Sequence, residues 1–360
     1  MVLGSIKIVV TAKVIGAGSI GNHLSHALRQ LGAEVTIVDV DKAALDRTRD
    51  QIYPTRYGVF DQKIQLKQPE EVNGISYDLC VIGTPPDTHL PIAQQELSVG
   101  HRALLIEKPL AGPGRAELLS FVDRVAKSNC RVLVAYNQRL KTNTVALLQK
   151  LQEASLGPPT LIRGKTREDW SGILAAHPWI NNVTDSYLSY TSRGGGALYE
   201  HSHGLDFALY IAHELGCGRP KKVISSMDTV EHEFGSYDKE VKIEIETTEG
   251  TPVEVNQDLY TLPPDKSLEI RFVRGWARWE MHGDHDQIQI VRDGFDPDIS
   301  NFAKERPDDF LPEISHVMEL LDNPTKKLSP LDLSESVWTS LTLEAALQSS
   351  KDQKWVMVEK

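Results

Sequence analysis

Val14-Ile-Gly-Ala-Gly-Ser-Ile-Gly21 is the stretch on which the fold turns. Gly16, Gly18 and Gly21 stand at the spacing G-x-G-x-x-G. An apolar run, Ile6–Ile15, precedes them. Ile20, Leu24, Ala27 and Leu28 follow on one stripe of a helical pattern, with Leu31 close by. Strand, tight glycine turn and helix are together the context a dinucleotide needs. The first glycine permits the turn, the second lets a pyrophosphate approach the backbone, and the third lets helix and strand pack closely. The helix N-terminus, with Ser19 and Ile20 in its first turn, faces the phosphates. A second apolar run, Ala33-Glu-Val-Thr-Ile-Val-Asp39, ends in an acid 18 residues past Gly21. A carboxylate there accepts hydrogen bonds from the adenosine ribose hydroxyls. It would also repel a 2′-phosphate, and Asp41 adds to that repulsion, so NAD is expected over NADP. Lys42 is the one cation close by.

Working outward, residues 6 to about 140 alternate short apolar runs with helical patterns. Strands are predicted at Ile6–Ile15, Glu34–Asp39, Leu79–Gly83, Ala103–Glu107 and Arg131–Tyr136, and helices at Ile20–Leu31, His89–Ser98 and Ala116–Lys127. Such alternation makes a doubly wound parallel sheet, a Rossmann domain over residues 1–140, with ligands at the carboxyl ends of its strands. Three further strand ends therefore carry candidates. In Gly83-Thr-Pro-Pro-Asp-Thr-His89, Thr84 and Pro86 would form a rigid loop beside the cofactor, with His89 opening the next helix. In Glu107-Lys108-Pro109, a lysine at the active edge can donate to a substrate hydroxyl and favour its ionised form; a solvated Lys108 paired with Glu107 is the plain alternative. Asn137 ends the last strand, placed for the nicotinamide end or the substrate, or simply in a loop.

Residues 141–360 read as an α+β domain with a large, mostly antiparallel sheet. A helix near Val145–Glu153 and the break Gly157-Pro-Pro159 lead to a strand, Thr160–Arg167. Its period of two puts Arg163, Lys165 and Arg167 on one face, for an anionic ligand or for solvent. The long connection from Glu168 to Arg193 holds Trp170, His177 and Trp179, aromatic groups suited to a polyhydroxyl pocket. Gly194-Gly-Gly then opens a helix expected to reach Leu215. On it Tyr199, Glu200, His203, Asp206 and Phe207 share one stripe, and His201 lies on the other as a packing histidine. Histidines at i and i+2 of a helix cannot chelate one metal. Antiparallel strands fill residues 221–292, and an apolar outer face there would be a dimer surface. His282-Gly-Asp-His-Asp286 reads as a hairpin turn. Helices Asp308–Leu321 and Leu331–Ser350 and a short strand at Trp355–Val358 close the chain.

The totals exclude several classes. A net charge of −11 gives no global attraction to nucleic acid or an anionic membrane, so any anionic ligand would need a local basic patch. Cys80, Cys130 and Cys217 lie far apart in apolar settings; they make neither a disulfide framework nor a metal site and suit a reducing cytosol, so a cytoplasmic location is expected. No apolar run approaches the roughly 20 residues of a membrane span. The N-terminal apolar stretch lacks a basic segment before it and reads as the first strand.

Taken with the triple-Gly segment, His203, Asp206, Asn137-Gln-Arg139 and a last helix bearing Ala345 and Ser349, these motifs resemble the Gfo/Idh/MocA oxidoreductases, named for glucose-fructose oxidoreductase and inositol dehydrogenase. The resemblance implies a Rossmann domain followed by an open-sheet domain, assembly as a homodimer or homotetramer through that sheet, and NAD(P)-dependent hydride transfer at a hydroxyl or carbonyl carbon. The substrate would be a sugar, sugar acid, nucleotide-sugar or cyclitol. It implies that Lys108 orients and polarises the reacting oxygen and that His203 is the general acid or base. One departure stands out: the family pattern has an Asp four residues before the His, where this chain has Tyr199, with Glu200 only three before. Either could replace it. A non-catalytic dinucleotide sensor of the same fold is the alternative, and transient oxidation, as in redox-assisted glycoside cleavage, is a third.

Overall fold

The apolar runs around the glycine turn assemble a six-stranded sheet. The computed structural model describes residues 9–175, 180, 182–303, 310–323, 325 and 328–360. Strands β1 (Thr11–Ile15), β2 (Glu34–Val38), β3 (Gln65–Lys67), β4 (Leu79–Ile82), β5 (Ala103–Ile106) and β6 (Arg131–Val134) pair in the order β3-β2-β1-β4-β5-β6. Every pairing is parallel. Helices α1 (Ser19–Gln30), α2 (Lys42–Arg47), α3 (Tyr53–Arg56), α4 (Pro86–Leu97) and α5 (Arg115–Val125) lie between them. All residues of β4 and β5 are buried, which is why these strands read as unbroken apolar runs. The strand order reverses between β1 and β4, so the ligand crevice lies outside their carboxyl ends. The edge strand β3 was not expected: its three residues are exposed or half-buried and carry no apolar run.

The second half continues with α6 (Thr142–Glu153), β7 (Pro159–Arg167), α7 (Ser171–Ala175), α8 (Gly196–Glu200) and α9 (Ser202–Glu214). Strands β8 (Pro220–His232), β9 (Gly235–Thr247), β10 (Pro252–Asp258), β11 (Asp265–Phe272), β12 (Gly275–Met281), β13 (His285–Arg292) and β14 (Asp298–Ala303) follow, then α10 (Leu311–Asp322), α11 (Leu333–Asp352) and β15 (Val356–Met357). Nine strands pair as β14-β13-β12-β11-β7-β10-β9-β8-β15, antiparallel except where β7 meets β10. His282–Asp286 forms the β12–β13 turn, closed by His282 N donating to His285 O at 2.8 Å.

One expectation is corrected. The helix predicted to run unbroken to Leu215 is two helices, with His201 between them at φ −88°, ψ 20°. Asp238 of β9 caps the first, accepting from Leu198 N at 2.7 Å. A Cβ on Gly196 would lie 2.1 Å from Asp238 Oδ1, so the glycine segment is what lets this carboxylate reach the helix start.

Helix α9 covers one face of the large sheet. A Cβ on Gly204 would meet Thr166 Oγ1 at 2.0 Å, and one on Gly164 would meet Ala208 Cβ at 3.4 Å. The even-numbered residues of β7 thus face the helix, and Arg163, Lys165 and Arg167 face the other way. That open face is a lattice of ion pairs: Arg163–Glu254 at 2.6 Å, Lys165–Asp265 at 3.1 Å, Arg167–Asp258 at 2.6 Å and Arg278–Glu280 at 2.6 Å.

Two apolar clusters hold the molecule. One joins α1 (Leu24, Ala27, Leu28) and the first sheet (Leu105, Leu133) to Ile314, Val317, Leu320 and Leu321 of α10. Each leucine, isoleucine or valine among them contributes about 1.5–3 kcal/mol by burial. A helix from the end of the chain therefore completes the layer over the first sheet beside α1. The other cluster runs from the opposite face of that sheet (Ile82, Leu104, Val134) through α9 to the large sheet, with α11 packed along it. A cut at residue 140 separates the two sheets, but both clusters draw residues from either side of it. Among the described residues no helix is long and apolar enough to cross a membrane.

Candidate functional site

The three glycines of the turn play different parts. Gly16 has φ +107°, and a Cβ there would lie 2.7 Å from Gly83 O; a Cβ on Gly21 would lie 1.9 Å from Gly16 O. Both are demanded by the protein's own packing. A Cβ on Gly18 would meet nothing within 4 Å. Space therefore opens where α1 begins, with Ser19 and the half-buried Ile20 as its first residues. This is a cradle of the kind a pyrophosphate fills. Asn22 braces it, donating to Ala17 O at 3.0 Å and Gly18 O at 2.8 Å. Asp39 follows β2, its carboxylate fixed by Ala17 N at 2.7 Å and Asp41 N at 2.8 Å. The residues present fit the phosphates and adenosine ribose of a dinucleotide.

Further along the edge, Thr84 and Asn137 are half-buried at the ends of β4 and β6. Two candidates there are corrected. His89 is fully buried, with its ring nitrogens 2.9 Å from Pro109 O and 2.7 Å from Thr84 O. Burial pushes its pKa below the ordinary histidine value. It ties the β4 loop to the loop after β5 rather than facing a ligand. Pro86 is buried under Gly194, whose Cβ would lie 2.7 Å from Pro86 Cβ. The Pro86 ring packs instead of lining the crevice.

Glu107 is buried after β5, and burial pushes its carboxyl up to about 7. The next residue, Lys108, directs Nζ to Glu200 O at 3.1 Å and Glu200 Oε1 at 3.5 Å. The other oxygen of Glu200 accepts from Tyr187 OH at 3.0 Å. Glu200 thus anchors the lysine. Tyr199 does not join the site: its buried side chain donates to Glu344 of α11 at 2.9 Å. Its expected place against a substrate is corrected accordingly, since consecutive helical residues point about 100° apart.

The two histidines of α8–α9 differ sharply. His201 is buried, its Nε2 lies 2.9 Å from Asp258 O, and burial pushes it down to about 4. His203 is half-buried, edge-on to Tyr136 at 5.9 Å, and its Nδ1 has no hydrogen-bond partner among the described residues. Burial first, then the charge of Lys108, holds its pKa well below the ordinary value. At neutral pH it is an uncharged imidazole with a nitrogen to spare, within electrostatic reach of an ammonium.

Beneath these groups, Arg139 and Asp206 form a bidentate pair at 2.9 and 2.5 Å that also takes Thr339 at 2.7 Å. It links the turn after β6 to α9 and α11. Arg163, Lys165 and Arg167 are not brought here; they stand on the far face of the sheet from the helix that carries His203. Trp170 is buried against Tyr237, 4.8 Å between rings. Trp179 and His177 lie outside the described residues.

Three contributors were missed. Arg56 of α3 donates to Ser19 Oγ at 2.7 Å, and no local pattern announces it. Tyr187 holds Glu200. Glu313 of α10 is buried, neither carboxyl oxygen has a partner among the described residues, and burial and then Glu107 push its pKa well up. A signal for Glu313 existed: it falls at helical spacing with Val317 and Leu320, a carboxyl on an apolar stripe. Among the described residues one group has metal-ligand spacing, Cys80, Glu96 and His101. The ammonium of Lys13 sits 2.5 Å from its carboxylate, which makes it a buried ion pair.

Residues 10–136 match the model of the GFO_IDH_MocA oxidoreductase family, NAD-binding Rossmann fold. No curated protein matches the sequence. Similar solved structures include levoglucosan dehydrogenase in complex with NADH and levoglucosan, 18% identical over 98% of this chain and 100% of that one, TM-score 0.79. The WlbA dehydrogenase from Bordetella pertussis, in complex with NADH and UDP-GlcNAcA, is 17% identical over 98% and 100%, TM-score 0.72. GenD2 from gentamicin A biosynthesis, in complex with NAD, is 18% identical over 98% and 97%, TM-score 0.74. At these identities the likeness is one of fold.

Proposed function

We propose, from the premise that residues 10–136 are the NAD-binding Rossmann domain of a Gfo/Idh/MocA oxidoreductase, that the chain is a dehydrogenase acting on a carbohydrate-like hydroxyl. Hydride passes between NAD and a CH–OH or carbonyl carbon of a sugar, sugar acid, nucleotide-sugar or cyclitol. One observation carries this reading: an uncharged His203, whose Nδ1 has no partner among the described residues, stands within electrostatic reach of an anchored Lys108, at the carboxyl edge that also bears the glycine cradle.

When bound, NAD supplies the hydride acceptor. Gly16, Gly18, Ser19, Ile20 and Gly21 would hold its pyrophosphate and Asp39 its adenosine ribose; Asp39 is also why NAD is preferred to NADP. Thr84, Glu107 and Asn137 would border its nicotinamide half. His203 takes the hydroxyl proton, and its low pKa keeps it in the accepting form at neutral pH. Lys108 stabilises the oxyanion that develops, the electrostatic part of the catalysis. Glu200 fixes the lysine through its carbonyl and carboxylate, so the ammonium needs no reorganisation at the moment of reaction. Glu200 therefore serves Lys108, and the family's Asp partner of the histidine has no direct counterpart here.

The levoglucosan and UDP-GlcNAcA bound by fold relatives support the carbohydrate class. The reading includes a homodimer or homotetramer formed through the open sheet, and a cytoplasmic setting in keeping with three free cysteines. The test is NAD⁺ reduction across sugars, sugar acids, nucleotide-sugars and inositols. Turnover of at least one is expected. Tight NADH binding with a wholly silent panel would instead favour a dinucleotide sensor.

A further inference from the structure

The inner face of the large sheet holds an ion pair of its own. Side chains alternate along β7 and β11, so Thr166 and its ladder partner Lys266 point toward α9, while Lys165 and Ser267 point to the open face. Gly204, the residue after His203, abuts Thr166. Glu168, two residues beyond Thr166, pairs with Lys266. The Glu168 backbone N donates to Asp258 O at 3.2 Å, the carbonyl that also meets His201 Nε2 at 2.9 Å. The pair thus lies beside the junction of α8 and α9, on the side of the sheet that carries His203. Its side chains are 28% and 19% exposed, so a solute can reach them. After burial, the charges of Lys108, Lys141 and Lys266 hold the His203 imidazole below its ordinary pKa. Two of these ammoniums, Lys108 and Lys266, come from different sheets, and each is held by a glutamate, Glu200 and Glu168 respectively.

We propose that Lys266 binds a carboxylate on the substrate, which makes the sugar a uronate or another sugar acid. The inference rests on the dehydrogenase reading of the same site and narrows its substrate. In a chain of net charge −11 an anion needs a local cation. Arg163, Lys165 and Arg167 are turned away from His203, and Lys266 is turned toward it. Among the described residues Glu168 is its one ion-pair partner. An ammonium has three N–H donors, so Lys266 can hold Glu168 and a substrate oxygen together. Lys108 is engaged at the reacting oxygen, which leaves the acid group to the second lysine. A singly charged carboxylate suits one ammonium with a glutamate beside it, whereas a phosphate dianion would be repelled more strongly by Glu168. Anchored by its carboxylate, the sugar would present a ring hydroxyl to His203 and Lys108.

The test uses matched pairs: D-glucose and D-glucuronate, D-galactose and D-galacturonate, UDP-glucose and UDP-glucuronate, with glucose 6-phosphate as a further arm. For each, kcat/KM with NAD⁺ and calorimetric affinity for the NADH-loaded chain are measured in the wild-type chain, Lys266→Met, Lys266→Gln and Lys266→Arg. An alkaline pH keeps His203 uncharged throughout. In at least one pair the uronate should be preferred about tenfold or more, and Lys266→Met and Lys266→Gln should erase that preference through KM and affinity. NADH binding should be kept, and Lys266→Arg should retain part of the preference. No preference for any uronate, equal losses for acid and neutral sugar, or a preference that survives in both uncharged variants overturns the inference. So does a preference for glucose 6-phosphate that the same variants lose, which would make the group a phosphate. A silent kcat/KM panel with Lys266-dependent uronate affinity would instead sink the dehydrogenase reading and leave the carboxylate site standing.

Discussion

The carboxyl edge of the first sheet and the open face of the second carry the same kinds of charged residue and treat them oppositely. On the open face Arg163 and Lys165 each meet a carboxylate across a strand in solvent, and the half-exposed Arg167 meets the buried Asp258. At the edge, among the described residues, His203 keeps a buried nitrogen unpartnered, Glu313 two carboxyl oxygens, and Glu107 is pushed up to about 7. Pairing in solvent is nearly neutral in free energy, and leaving a buried polar group unpaired costs about 1–3 kcal/mol. At the edge, a bound ligand can complete the set. Three cations in register on a strand therefore say less about function than one imidazole without a partner.

Substitutions can break or sharpen this contrast. The largest stability effect belongs to neither region but to the pair that joins them. Asp206→Ala leaves Arg139 buried and uncompensated and should cost about 3–5 kcal/mol in chemical denaturation. A loss near that of a surface pair would mean the guanidinium finds water. A smaller effect concerns pH. The acid limb of kcat/KM for substrate oxidation should lie below the ordinary histidine value, because His203 must be uncharged to accept a proton. Lys108→Met removes a positive neighbour, which stabilises the imidazolium. The limb should move upward, in a pH–rate profile of the residual activity. No movement would place the two groups further apart than described. Smallest of all, Arg163→Ala and Lys165→Ala should each change stability by no more than about 1 kcal/mol and leave KM for NAD and substrate unaltered. A large rise in substrate KM would return the open face to the site.

How much of this was legible depends on whether the signal was local. β1, β2 and β4–β6 and the glycine turn could be read because buried parallel strands are apolar runs and the turn's chemistry lies within eight residues. β3 could not, since Gln65–Lys67 is a half-exposed edge with no apolar pattern. The break at His201 comes from Asp238, which arrives from a different strand to cap α8. His89 looked like a ligand because it follows a strand end, yet carbonyls of two loops enclose it. Lys108 and His203 were nameable from their motifs, but that Glu200 serves the lysine and Tyr199 turns to Glu344 required the fold. Arg56 and Glu313 reach the crevice only through the packing of α3 and α10 around α1, contacts separated widely along the chain.

The central claim is that Lys108 and His203 act together on an oxygen held beside the nicotinamide. Its most direct test is kcat for NAD⁺-dependent oxidation, with the best substrate of the panel, in His203→Ala and Lys108→Ala, each checked for NADH affinity. Both should lose about 10² or more in kcat while binding NADH nearly as well as the wild-type chain. Full activity in both variants would contradict it.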